Sequence, residues 1–415
     1  MSSTEPDAAA SAEPGGRWLT PGVAGIGTAS FLADVGHEVP TALLPSLLTS
    51  TLGAPAATLG LIEGISDALA GAARFGGGAL ADDPGRRRRI AVGGYTATAA
   101  LAAATGTAGS VWQVGVLRAG AWTARGLRVP ARNALLADIV PASGYGRAYG
   151  FERMMDNLGA VFGPLLALVL VATVGTRWAI GLSVIPGLLA AAAIVYAIRK
   201  APKAEPRPKV PLRIRVRPVW RGDLGRMLGA VAAFEVGNVA ATLLILRATD
   251  LLSPEHGTKT GTTLALGLYV AYNVAATAVS IPAGRTADRL GSRGPVLVLS
   301  VGVAAFAVSY AVFAVVGANV LVLAVPFVLA GIGIGVVETA QHSAVASLAP
   351  TDLRGSAFGM LATVQSLGNF AASAVAGVLW TAISATAAFT YLTAWMFLAL
   401  VGLLRTARRS SPVPA

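Results

Sequence analysis

Cysteine is absent from the chain, and charge is scarce. The first absence excludes disulfides, thiolate metal sites and thiol nucleophiles. The second is equally informative. Only 13% of the residues are charged, against about 25% in an ordinary soluble domain. A soluble chain of 415 residues would divide into two or three polar-surfaced domains. With 54% hydrophobic residues, this one lacks the polar side chains to cover them. Also missing are a nucleotide-binding loop, a zinc-ligand spacing and a nucleophile–base arrangement, so no enzyme, cofactor or metal is expected. His37 and His342 stand near acids, but in different halves of the chain, so they do not suggest converging ligands.

What is present is a series of apolar runs longer than the roughly 18 residues that mark a membrane-spanning helix. Twelve spans are expected, six before and six after a basic stretch at 200–224. Alternate loops differ in charge. One set holds Arg86 to Arg89, Arg147, Arg289, Arg293, Arg354, Arg405, Arg408 and Arg409. The other holds little beyond Arg177 and the mixed loop "SPEHGTKTG". The positive-inside rule places the first set in the cytoplasm, with both termini. The net charge of +12 therefore points to an anionic lipid surface and not to nucleic acid. The expected organisation is a cytoplasmic tail at 1–20, a six-helix bundle at 21–199, a linker at 200–224, a second bundle at 225–406 and a tail at 407–415. The N-terminal stretch has neither the basic start nor the short apolar core of a secretory signal.

The two halves repeat one another. "DVGH" at 34–37 meets "EVGN" at 235–238, and "LADDPG" at 80–85 meets "TADRLG" at 286–291. "PASGYGRAYGFERMMDNLG" at 141–159 meets "PTDLRGSAFGMLATVQSLG" at 350–368. Parallel six-span repeats are one way of building a transporter, with a site near the midplane between halves. An acid inside the greasy "FLADVGHEVP" that recurs as Glu235 is therefore read as functional.

Here the chain resembles the major facilitator superfamily. Gly78, Leu80, Asp82, Gly85 and Arg86 fall on the fixed positions of that family's loop between spans two and three. Gly284, Asp288 and Gly291 fall on its second-half version. Asp83 departs from the basic residue usual there. The stretches "GLIEG", "RGLRVPARNALLAD" and "GRAYGFERMMDNLGAVFGP" resemble a drug-resistance or efflux-like bacterial branch, with Arg125 and Asn133 as departures. The resemblance implies an all-α fold of twelve spans in two bundles. It also implies a cytoplasmic gate at Gly78, Asp82, Gly85, Arg86, Gly284, Asp288 and Gly291, with Arg86 and its neighbours as partners of the loop acids. "GAVFGPLLA" resembles a span-five motif of proton-driven exporters.

Charges inside a membrane cost about 2.5–3.5 kcal/mol each at a helix centre and face a cavity or a partner. Asp34, Glu38, Glu63, Asp67, Arg118, Arg125 and Asp156 are expected to couple protons to conformation, because an acid in low dielectric changes its proton affinity when an arginine approaches or withdraws. Arg118, Arg125 and Arg132 recur every seven residues and form one stripe. Arg132, Glu152 and Arg153 read instead as structural ion pairs. The quieter second half, with His37, is expected to bind substrate through Glu235, Asn238, Tyr269, Asn273, Glu338, Gln341, His342, Gln365 and Asn369. The expected function is proton-coupled export of a small organic molecule by a monomer in the cell membrane. Proton-coupled uptake of an organic anion or metabolite is the alternative, and a non-transporting receptor or scaffold is a third.

Overall fold

The structure, a computed structural model, describes residues 18–201 and 216–409. Most of the expected N-terminal tail, residues 202–215 of the linker and the C-terminal 410–415 lie outside the described residues. Fifteen helices and no strand are present among those described. They are α1 (Pro21–Ser46, continued by a wide turn at Leu47–Thr51), α2 (Ala56–Leu80), α3 (Pro84–Ala104), α4 (Val111–Ile139) and α5 (Tyr145–Val174). The short α6 (Thr176–Leu182) leads into α7 (Val184–Lys200), and the single-turn α8 (Val216–Val219) into α9 (Gly222–Gly237). Then follow α10 (Ala241–His256), α11 (Thr258–Arg289), α12 (Gly294–Val315), α13 (Val320–Leu348), α14 (Arg354–Ala382) and α15 (Ala385–Arg409).

Local sequence sets these boundaries. Asp83 caps α3, accepting from the amides of Gly85 at 2.8 Å and Arg86 at 3.0 Å, with Pro84 in the first turn. The residue that departs from the family pattern is thus a helix cap. Asn319 caps α13 in the same way. Gly175 and Gly257 turn the chain between helices at φ near +80°, a conformation that favours glycine. The first helix of the second bundle is divided. It stops at Gly237 and restarts at Ala241.

Eight helical stretches, from Ala142 onward, are long and apolar enough to cross a membrane. Helices α1 to α4 are not among them, because small residues and the charges noted above replace their aliphatic side chains. Apolarity alone thus marks eight of the twelve expected spans. The outer surface is greasy: Val301, Val308 and Val315 form an exposed stripe on α12, and Phe162, Leu165 and Val169 another on α5. Such stripes suit lipid. The chain is an all-helical, multi-pass membrane protein.

Packing before the linker is echoed after it. Helix α1 lies on α5 and α7, α2 on α4, and α3 on α4 and α7. Correspondingly, α9 lies on α14 and α15, α11 on α13, and α12 on α13 and α15. The halves meet chiefly through two pairs, α5 with α11 and α2 with α14, with lesser contacts of α13 on α5 and α14 on α4.

Candidate functional site

The joining pairs are tight at one end, the end that bears the arginine-rich loops. A β-carbon at Gly78 would lie 2.7 Å from the Gly359 Cα, and one at Gly284 would run into the Gly146 carbonyl. Moving along α2 away from this end, a β-carbon at Gly71 would meet Ser366 at an ordinary 3.8 Å. At Gly64 and Gly60 it would meet nothing within 4 Å. Helices α2 and α14 therefore diverge, and the space between the halves widens away from the basic end.

Two aspartates fasten that end reciprocally. Asp288 of the second half accepts from the first-turn amides of α5, Gly146 at 2.7 Å and Arg147 at 3.1 Å, and from Arg147 Nε at 2.8 Å. Asp82 of the first half accepts from the amide of Ser356 in α14 at 2.8 Å and from its hydroxyl. Each acid sits on the positive end of the other half's helix. Burial pushes the Asp82 carboxyl above its usual range, and the bonds from Ser356 oppose that shift. Arg86 is not its partner. It faces Asp83 at 4.0 Å, because the cap turns its side chain back along the loop. The buried Arg87 instead reaches the Ala81 carbonyl and Asp138. A further strap was missed in the sequence: Arg354 of the second half bonds Tyr145 Oη at 2.6 Å and Asp138 at 3.3 Å. The long repeat offered a signal, since it sets position 354 against 145. The glycines divide their duties. Gly78 and Gly284 permit close approach, Gly291 supplies φ +68°, and Gly85 donates to the cap.

Above this closed end lies a cavity of about 970 Å³ lined by both halves. From the first half come Asp67, Arg74, Arg125, Arg132, Arg153 and Asp156. From the second come Glu235, Asn238, Glu338, Gln341, His342, Gln365, Ser366 and Asn369. The arginine stripe of α4 is paired throughout. Arg118 meets Glu63 of α2 at 2.9 Å, Arg125 meets Asp34 of α1 at 3.1 Å, and Arg132 meets Glu152 of α5 at 2.8 Å. Arg153 adds Glu152 at 2.6 Å and Asp156 at 3.1 Å, and Ser30 bonds both Glu152 and Arg132.

Glycines bring the acids to these positions. Gly159 of α5 leaves room for Asp34, and Gly163 for Glu38. Gly368 of α14 does the same for Glu235. Gly159 with Asp34, and Gly368 with Glu235, occupy matching places in the repeat.

Several expected residues are elsewhere. Asp34 stands behind Arg125 and does not itself line the cavity. Glu38, Glu63 and Arg118 belong to the α1–α2–α4–α5 packing. His37 turns its edge to Trp122, ring centroids 4.9 Å apart, beside Tyr95 and a buried Arg128 that stacks on that ring at 3.9 Å. Tyr269 stacks on Tyr272 at 5.5 Å, and Asn273 donates to the Tyr269 carbonyl. His37, Tyr269 and Asn273 are thus absent from the cavity wall, because their packing partners lie within their own half. Arg132 and Arg153, read as structural, do line it. Arg74 was missed. Its spacing of seven from Asp67 was the available signal, and it crosses to Ser366 of the other half.

The sequence profile of the Major Facilitator Superfamily matches residues 26–372 and 230–415. An uncharacterized protein of Mycobacterium tuberculosis is 28% identical over 362 residues, covering 85% of this chain and 84% of the relative. An uncharacterized MFS-type transporter of Methanocaldococcus jannaschii is 26% identical over 367 residues, covering 88% and 89%. Among solved structures, a bacterial homologue of the iron transporter ferroportin, in an outward-facing state, superposes with a TM-score of 0.73. Its sequence identity is 14%, with 94% of this chain and all of that one covered.

Proposed function

The chain belongs to the major facilitator superfamily and is a membrane transporter, not an enzyme; from that premise we propose that it exports a small organic molecule in exchange for protons, by alternating access. In this reading twelve spans form two six-helix bundles, residues 21–199 and 225–406. Helix pairs α6–α7 and α9–α10 each serve as one span. The basic end is cytoplasmic, in the cell membrane, with both termini inside. In this reading the divergence of α2 and α14 is that of an outward-open state, latched below by Asp82, Asp288 and Arg354.

One observation carries the reading: an acid–arginine network forms one wall of a cavity that both halves share and that is closed at one end. A proton arriving on Asp34 removes the charge that holds Arg125, and the freed guanidinium re-pairs elsewhere in the network. That change of partners gives the two bundle orientations different proton affinities, which is the requirement for coupling. The glycines of the "GAVFGP" stretch, which let α1's acids reach α5, support export. The arginines also favour a second reading, uptake of an anion, because Arg125 Nη1 and Arg74 Nε are buried without acceptors. The full chain in liposomes under an imposed pH gradient tests both. Solute moving against the proton flow supports export. Movement with it supports uptake. A gradient that drives no solute contradicts the coupling.

A further inference from the structure

Resting on the transport reading, the wall facing the arginines carries a more specific assignment. We propose that α9, α13 and α14 form a recognition site for an organic cation, whose ammonium group is held by Glu235, with Glu338 on the same cavity wall.

The distribution of charge leads there. All four arginines that line the cavity come from the first half. Arg125, Arg132 and Arg153 are held by Asp34, Glu152 and Asp156, and Arg74 by Ser366. None of the four forms an ion pair with Glu235 or Glu338; the two unpartnered donors, Arg125 Nη1 and Arg74 Nε, belong to first-half helices. Glu235 is 3% exposed, and its carboxylate has one hydrogen-bond partner, Asn238 Nδ2 at 3.0 Å. Glu338 forms no ion pair among the described residues; Arg153 and Arg132 act on it only at a distance. Both acids line the same cavity. A buried carboxylate without a counter-charge, as at Glu235, is costly, and a cation in the cavity that both acids line answers it.

The site is also held in shape. Where the helix breaks at 238–240, Asn369 Nδ2 donates to the Asn238 carbonyl at 2.8 Å, and the Ala240 amide donates to Ser373 Oγ at 3.1 Å. Gly368 admits Glu235 against α14. An independent observation points to a donor-bearing ligand: Gln341 is 1% exposed and lines the cavity, and its Oε1 has no donor. Acceptors lacking donors suit a protonated amine and repel a carboxylate. An organic body fits better than a bare ion. The volume far exceeds an ion, Phe75, Ile334 and Phe370 offer apolar surface, and no metal-binding group of three acids or histidines occurs among the described residues.

Equilibrium binding to the purified full-length protein in detergent tests this with three matched probes: phenylbutylamine, the neutral phenylbutanamide and the anionic phenylbutanoate. The amine should bind on the order of thirtyfold more tightly than the amide. Glu235→Gln should erase that preference while leaving amide binding intact, which also shows that the variant is folded. Glu338→Gln should reduce the preference. A stronger grip on phenylbutanoate, an amine preference that survives Glu235→Gln, or binding of none of the three would overturn the proposal. So would sodium ions that displace the amine competitively, since they would mark a bare-ion site. Equilibrium binding needs no turnover. A protein that binds the amine but shows no gradient-driven flux would defeat the transport reading and leave this site standing.

Discussion

The two halves of the molecule place an acid in the same way and then treat it differently. Asp34 and Glu235 each lean on a glycine of the neighbouring helix, Gly159 and Gly368. Asp288 and Asp82 each cap a helix of the opposite half. In the first half the acid meets an arginine at 3.1 Å; in the second it meets an amide. Backbone fit was kept while charge diverged. The physical lesson is that close helix approach and the latch need both halves. A proton-sensitive pair needs only one, which frees the other wall to meet a solute.

The sharpest way to break this contrast is to neutralise the first acid. Asp34→Asn should lower gradient-driven transport on the order of 100-fold, measured as solute flux in liposomes, while leaving amine binding unchanged. Next in size is the contrast between Arg132 and Gln341, which occupy matching places in the repeat. Removing one member of a buried ion pair strands the other, so Arg132→Gln should cost about 3–5 kcal/mol of stability. Gln341→Ala, leaving no charge behind, should cost about 1 kcal/mol. Thermal unfolding of both variants in detergent compares them, and equal losses would erase the distinction.

A smaller effect tests the latch. Gly284→Ala forces a methyl group onto the Gly146 carbonyl, an overpacking of about 1–3 kcal/mol, and should open the basic end. The natural chain has no cysteine, so Ser143→Cys and Arg289→Cys can carry spin labels without background. Their distance should lengthen in the glycine variant. The smallest effect is at the α3 cap. Asp83→Ala should cost about 1 kcal/mol. Hydrogen bonding from the Arg86 amide holds the Asp83 carboxyl below its usual range. Its contribution is therefore complete at neutral pH, above the unfolded value, and fades only as pH falls through the depressed folded value. A loss that appears at neutral pH in the parent chain would contradict that assignment.

Much of this architecture could be read from residue order. The family resemblance pointed to Gly78, Asp82, Gly284 and Asp288 as gate residues, and in the structure they lie where the halves meet most tightly. The seven-residue period of Arg118, Arg125 and Arg132 announced one stripe; its pairing with Glu63, Asp34 and Glu152 came from the structure. What escaped was whatever depends on which neighbour faces a side chain. Tyr269, Asn273 and His37 are polar residues of the expected kind, yet each spends its polarity or ring within its own half. Arg74 attracted no notice because the glycine and alanine around it on α2 gave no hint of a facing Ser366. The break at 238–240 carries no proline. It is held from outside by Asn369 and Ser373, more than a hundred positions away in the chain.

The central claim is that protons act on one wall and the solute on the other. Solute exchange in liposomes without a gradient, set beside accumulation under a pH gradient, separates the two most directly. Asp34→Asn should retain exchange and lose accumulation, while Glu235→Gln should lose both. Accumulation at the parent rate in Asp34→Asn would contradict the account.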